Sequence, residues 1–198
     1  MEAEIDFCGE WLVLKKNQFK IMAVVTVLAD KNRAFRGTLN DLCDELGIGR
    51  SSANRASICK TLELLTQSGN VKVIKDLQIY TISLSESVSK SKNVKTIKKA
   101  WYDLIRDCKS AEACSWDSLL KVFLTIFDSS NDDIITNKSI SDSLGGTISE
   151  STVGKCIRTL CKIDYQDFRL VSKVINKRSD NGQFYCVGRV VEKGVFFE

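Results

Sequence analysis

Two stretches of this sequence gather cations, amides and hydroxyls while nearly excluding acids, and that mixture suits an anionic polymer. From Gly47 to Leu62 the chain carries Arg50, Ser51, Ser52, Asn54, Arg55, Ser57 and Lys60, with no Asp or Glu. A guanidinium can bond guanine at two atoms, a carboxamide can do the same for adenine, and hydroxyls suit phosphate oxygens. The second stretch carries Ser149, Ser151, Thr152, Lys155 and Arg158, with Glu150 among them. Farther on, Lys173, Lys177, Arg178 and Arg189 add positive charge, diluted by Asp180. The plainer reading of both stretches is a capped helix with a solvated polar face.

Other chemistry is largely excluded. The 198 residues contain no histidine, so no Ser-His, Cys-His or HExxH arrangement exists. There is no glycine-rich phosphate loop of the P-loop or dinucleotide type. The eight cysteines (Cys8, Cys43, Cys59, Cys108, Cys114, Cys156, Cys161 and Cys186) form no CxxC pair. Structural zinc needs close ligand pairs, so neither metal nor cofactor is expected. Most of these thiols fall at apolar-periodic positions, and reduced core cysteines are the expectation, with a redox switch as the alternative. An enzyme is not expected, because activity normally leaves a cluster of ionisable residues.

The net charge is +4, and its distribution is uneven. Residues 1–88 and 116–198 are each neutral, while 89–115 hold seven cations against three acids. The lysines from Lys90 to Lys99 read either as a solvated connector or as a bridge across backbone phosphates. No segment approaches the roughly 20 apolar residues that span a bilayer. The Met-Glu-Ala-Glu start lacks the basic region of a signal peptide, so a cytoplasmic location and no membrane partner are expected.

These candidate residues must be positioned by local structure. Apolar residues from Phe19 to Leu28 predict a core helix over 16–30, and Phe35-Arg36-Gly37 a short strand. Thr38 is a candidate N-cap with Asp41 three residues later, opening a helix with Leu39, Leu42, Cys43 and Leu46. Gly47-Ile48-Gly49 is a turn, Ser51 or Ser52 caps the next helix, and that helix runs to about Gln67. Val71 to Lys75 and Leu77 to Leu84 read as a hairpin. Residues 85–93 read as a linker and Val94 to Cys108 as a helix.

A similar order then returns. Ser115 precedes a helix from Trp116 to Phe127, and Ile134-Ile135 is a candidate strand. Thr136 caps a helix with Ile140 and Leu144, Gly145-Gly146 is the turn, and Ser149 caps a helix with Val153, Ile157 and Leu160. Arg169 to Asn176 and Phe184 to Val191 are extended runs with Asn181-Gly182 as the hairpin signal between them. Trp101, Trp116 and Phe123 fall on apolar faces and are expected to pack rather than stack on bases.

Two segments carry a family resemblance: TLNDLCDELGIGRSSANRASICKTLELLTQSGNVKVI and TNKSISDSLGGTISESTVGKCIRTL. Both resemble the winged helix-turn-helix family. The resemblance implies a mainly α fold with small β-hairpins (α+β), arranged as two tandem winged-helix domains. The expected divisions are 1–88 for the N-terminal domain, 89–114 for a linker and basic connecting helix, and 115–198 for the C-terminal domain. It further implies that the third helix of each domain reads the major groove of double-stranded DNA. Tandem copies in this order resemble plasmid and phage replication initiators and small transcriptional regulators of mobile elements.

A second class stays open. Winged helices also act as protein-interaction adaptors, the layout is similar to the tandem winged-helix partners of SMC complexes, and a phage-encoded inhibitor gripping a host protein is related. Neutral modules favour that class. A homodimer reading two half-sites is a further expectation, with Ile5 to Leu14, including Phe7 and Trp11, as a dimerisation or packing arm.

Overall fold

A computed structural model describes residues 3–85, 93–108, 114–127, 136–166, 168–171, 173–175 and 185–187. The chain is a mixed α+β protein of helices and small sheets. It divides into two compact units, Glu4–Thr96 and Ile97–Glu198 with Met1–Ala3.

The first unit runs β1 (Glu4–Cys8), a 3-10 turn (Gly9–Val13), α1 (Lys16–Leu28), β2 (Ala34–Gly37), α2 (Leu39–Leu46), α3 (Ser52–Gln67), β3 (Val71–Asp76) and β4 (Ile79–Leu84). Its centre is α1, where Phe19 and all five residues from Ile21 to Val25 are buried. A helix enclosed on so many sides must be covered by several neighbours, and α1 packs against β1, α2, α3 and β2. The segment Ile5 to Leu14 packs within its own chain, with Phe7 and Trp11 each 1% exposed.

Local signals set the elements around α1. The Thr38 hydroxyl accepts from the Asp41 N–H while the Asp41 carboxylate accepts from the Thr38 N–H at 2.6 Å, a reciprocal cap on α2. Gly47 ends α2 at φ 68°, where a side chain is disfavoured, and its N–H donates to the Asp44 carbonyl. The Ser51 hydroxyl then caps α3 by accepting from the Asn54 N–H at 3.1 Å. The antiparallel sheet is ordered β2-β4-β3. Phe35, Ile82 and Val73 form one cross-strand row toward the core, and Arg36, Thr81 and Ile74 a row on the opposite face.

The segment 94–108 corrects a sequence expectation. It is not one helix but β5 (Val94–Lys98), paired with β1, followed by α4 (Lys99–Asp107). Burial in β5 alternates, with Lys95 and Ile97 inward, and branched side chains at Val94, Thr96 and Ile97 favour the extended form. Helical spacing of Ile97 with Trp101 hid that period of two.

The second unit continues with α5 (Trp116–Phe127), α6 (Asn137–Ser143), α7 (Glu150–Leu160), β6 (Asp164–Tyr165), β7 (Phe168–Arg169), β8 (Lys173–Ile175) and β9 (Tyr185–Val187). Helix α5 is the core element and packs against α4, α6 and α7. From α4, Trp101 meets Phe123, Phe127 and Tyr165 edge-on, each at 6.1 Å between ring centroids. Trp101 and Phe123 are buried, while Trp116 is half-buried beside Tyr102. Thr136 caps α6 with Ser139, Gly145 and Gly146 turn the chain at φ 60° and 68°, and Ser149 caps α7. Strands β8 and β9 pair antiparallel, and so do β6 and β7, a short hairpin through Gln166 that the sequence pattern did not signal. The expectations at Ile134-Ile135, Asn181-Gly182 and most of the 85–93 linker lie outside the described residues.

Each unit thus holds, in order, a Trp-bearing helical segment, an apolar core helix, a short helix, a glycine turn, a longer helix and an antiparallel hairpin. Among the described residues no helix is long and apolar enough to cross a membrane.

Lys121, 2% exposed on α5, donates to the Thr147 hydroxyl at 3.1 Å in the turn before α7. Burial holds its ammonium down to about 8, and the nearby Asp117 pulls the other way. Below pH 8 both folded and unfolded chains carry the proton. Between about 8 and 10.5 the unfolded chain keeps it and the folded chain sheds it, so this group makes stability rise with pH. The urea midpoint of the second unit should climb across that window in the wild type, and the Lys121→Met variant should lack that part of the climb. The increment is about 1–2 kcal/mol once screening by water is allowed for.

Candidate nucleic-acid interface

Helices α2 and α3, joined through the Gly47 bend, carry the first set of candidate residues. Ile58, Thr61, Leu62 and Leu65 fix the inner side of α3, leaving Ser52, Ala53, Ala56, Ser57 and Lys60 outward. That outer face is short-chained and carries no acid before Glu63, so an approaching surface can come close to the helix backbone.

Several expected base-reading groups have structural partners instead. Arg50 forms a two-point ion pair with Asp44, its Nε and Nη2 donating at 2.8 and 2.5 Å. The carboxylate raises the guanidinium further above its ordinary range, and the hydrogen bond from Arg50 lowers Asp44. Arg55 donates to the Arg50 carbonyl at 2.6 Å and to the Asn40 side chain at 3.4 Å. Asn54 donates from its carboxamide to the Gly49 carbonyl at 2.7 Å. Arg55 and Asn54 therefore brace the turn that aims α3, and Ser51 is its cap. Arg50, Ser51, Ser52, Ser57 and Lys60 are exposed, and of these Ser52, Ser57 and Lys60 take no part in bracing or capping the turn.

In the second unit α7 begins at the Ser149 cap, whose hydroxyl accepts from the Thr152 N–H and lies 2.9 Å from the Thr152 hydroxyl and 3.2 Å from that of Ser151. Thr152 is half-buried. Ser151, Lys155 and Arg158 are exposed, with Glu150 beside them. A Cβ on Gly154 would come within 3.0 Å of the Asn137 carboxamide, so this glycine lets α7 lie close to α6. Lys173 lies in β8, and Lys177 and Arg178 lie outside the described residues.

Two parts of the site carry no clear signal in the sequence. Asp44, six residues before Arg50 across the bend, reads there only as part of a helix. The hairpin tip exposes Ile74, Leu77 and Ile79, with Leu77 in the two-residue loop that Asp76 and Ile79 close. Among the described residues Cys8, Cys43 and Cys156 are buried and Cys59, Cys108, Cys114 and Cys161 half-buried, and none of these seven is in a disulfide. Burial raises Cys43 and Cys156 above the ordinary thiol range, which keeps them protonated and unreactive. Among the described residues no cluster of Cys, Asp or Glu is arranged to hold a metal. No protein-family model, curated protein or solved structure matches the chain.

Proposed function

We propose that the chain is a tandem winged-helix protein that binds double-stranded DNA, acting as a transcriptional regulator or replication-initiator-like protein of a mobile element. In this reading α3 and α7 are the helices that enter the major groove. The observation that carries it is the outer face of α3: small, polar, acid-free over its first three turns, set behind a braced glycine bend and followed by a β-hairpin. Small side chains let a helix sit deep in a groove, and Lys60 with the hydroxyls suits phosphates.

The Arg50–Asp44 pair supplies a test. Asp44→Asn removes a carboxylate beside the entry end of α3 and releases Arg50 for the duplex. Removing one negative charge near phosphates should strengthen binding several-fold at low salt, about the effect of one phosphate contact. Gel-shift titration of wild type and variant on the same duplex measures it, and an unchanged or weakened affinity would count against the major-groove placement of α3.

The same ion pair favours a second reading. Neutralisation of Arg50 by Asp44 lowers the positive potential where a duplex would first arrive, which suits a protein-binding adaptor better than a strong DNA binder. Capture of one stoichiometric protein partner, unaffected by nuclease, selects that reading.

A further inference from the structure

Leu77 combines two unfavourable features. It is 87% exposed, and it sits in the left-handed region at φ 52° in the two-residue loop between β3 and β4. Loops of this length favour Asn and Gly, which adopt positive φ at little cost, and a leucine there is worse placed on both counts. Arg33 and Gln166, the other described non-glycine residues at positive φ, are polar. An outlier that the core does not require points toward a partner.

The surroundings define that partner. Ile74 and Ile79, 54% and 36% exposed, adjoin the tip on the outer sheet face. Behind them on that face stand Arg36, in the row of Thr81 and Ile74, and Lys72, in the row of Ser83. Lys75 reaches over the Tyr80 ring on the other side, and Asp76 is the single acid of the hairpin. On the outer face Arg36 and Lys72 outnumber Asp76, which lies opposite Ile79 beside the tip, so that face fits an anionic partner with an apolar interior, which is what stacked base pairs framed by phosphates provide.

We infer that Leu77 is a wedge that enters a base step of duplex DNA through the minor groove, with Arg36 and Lys72 on the flanking phosphates. This rests on the DNA-binding reading and adds to it a deformation of the duplex. Insertion takes the leucine out of water and unstacks the step, bending the duplex by roughly 20–90°.

The test uses the full chain, duplexes with 2-aminopurine at successive positions, and end-labelled duplexes whose energy transfer reports bending. Wild type should raise 2-aminopurine emission at one step and shorten the end-to-end distance. Leu77→Asn, better suited to the loop, should melt about 2–5 °C higher yet bind roughly tenfold more weakly, without the emission rise or the bend. Leu77→Met should keep both signals. Wild type that binds duplex without unstacking or bending it, or Leu77→Asn that matches wild type in affinity and bend, overturns the wedge and leaves the DNA-binding reading intact. Wild type that fails to retain duplex overturns both. A nuclease-resistant protein partner that Leu77→Asn no longer captures overturns the wedge by assigning the tip to a protein.

Discussion

If the proposed DNA-binding reading holds, reversing two exposed lysines together, Lys60→Glu and Lys155→Glu, should lower affinity for duplex DNA by roughly a hundredfold at low salt, about tenfold for each phosphate left without its cation. Lys60 lies outward on α3 and Lys155 outward on α7. Each cation on a phosphate releases about one counterion on binding, so the slope of log affinity against log salt should fall in magnitude by about two. The fold should not confound the result. Glu and Lys have similar helix propensity, and exposed substitutions of this kind stay within about 0.5 kcal/mol. Equal affinity and equal salt slope for wild type and double variant would show that these two faces do not touch DNA.

Trp101→Ala is the substitution expected to cost most stability. The ring is 3% exposed and meets Phe123, Phe127 and Tyr165 edge-on, joining α4 to the core helix α5 and to the short β6 strand. Its Nε1 has no hydrogen-bond partner among the described residues, so truncation strands no polar group and the cost is one of packing. Large aromatic-to-alanine changes cost about 3–5 kcal/mol, a large part of the about 5–15 kcal/mol that holds a domain folded. Urea titration followed by circular dichroism should show the transition of the second unit moving to much lower urea, with Trp101→Phe recovering part of it. A cost below about 1 kcal/mol would show that this aromatic cluster does not organise the core.

The capped helices were the most legible part of the fold, because their signals are local. Thr38 with Asp41, Ser51, Thr136 and Ser149 each sit where a hydroxyl meets an orphan N–H, and each caps in the structure. The glycine bends at Gly47 and Gly145-Gly146 were legible for the same reason. What failed depends on partners distant in sequence. Strands β1 and β5 lack a local signal because each is defined by pairing with the other across some ninety residues, as in the 2.7 Å bond from the Thr96 hydroxyl to Asp6.

The candidate site was legible in its composition but not in its partnerships. By residue type alone, Arg50, Asn54 and Arg55 are as good candidates for base or phosphate contact as Lys60. The structure gives Arg50 to a carboxylate of the preceding helix and Arg55 and Asn54 to carbonyls of the turn. A sequence shows which charges are near one another along the chain. Only the bend at Gly47 brings Asp44 back onto Arg50.

The central claim, that the outer faces of α3 and α7 bind a duplex, is tested most directly by fluorescence anisotropy. A labelled pool of random-sequence duplexes is titrated with the chain at about 50 and 200 mM monovalent salt, a range over which phosphate contacts weaken steeply. The account predicts saturable binding at micromolar protein or below in the lower salt, and a marked weakening in the higher. No anisotropy change at either salt, with the chain folded throughout, would contradict it.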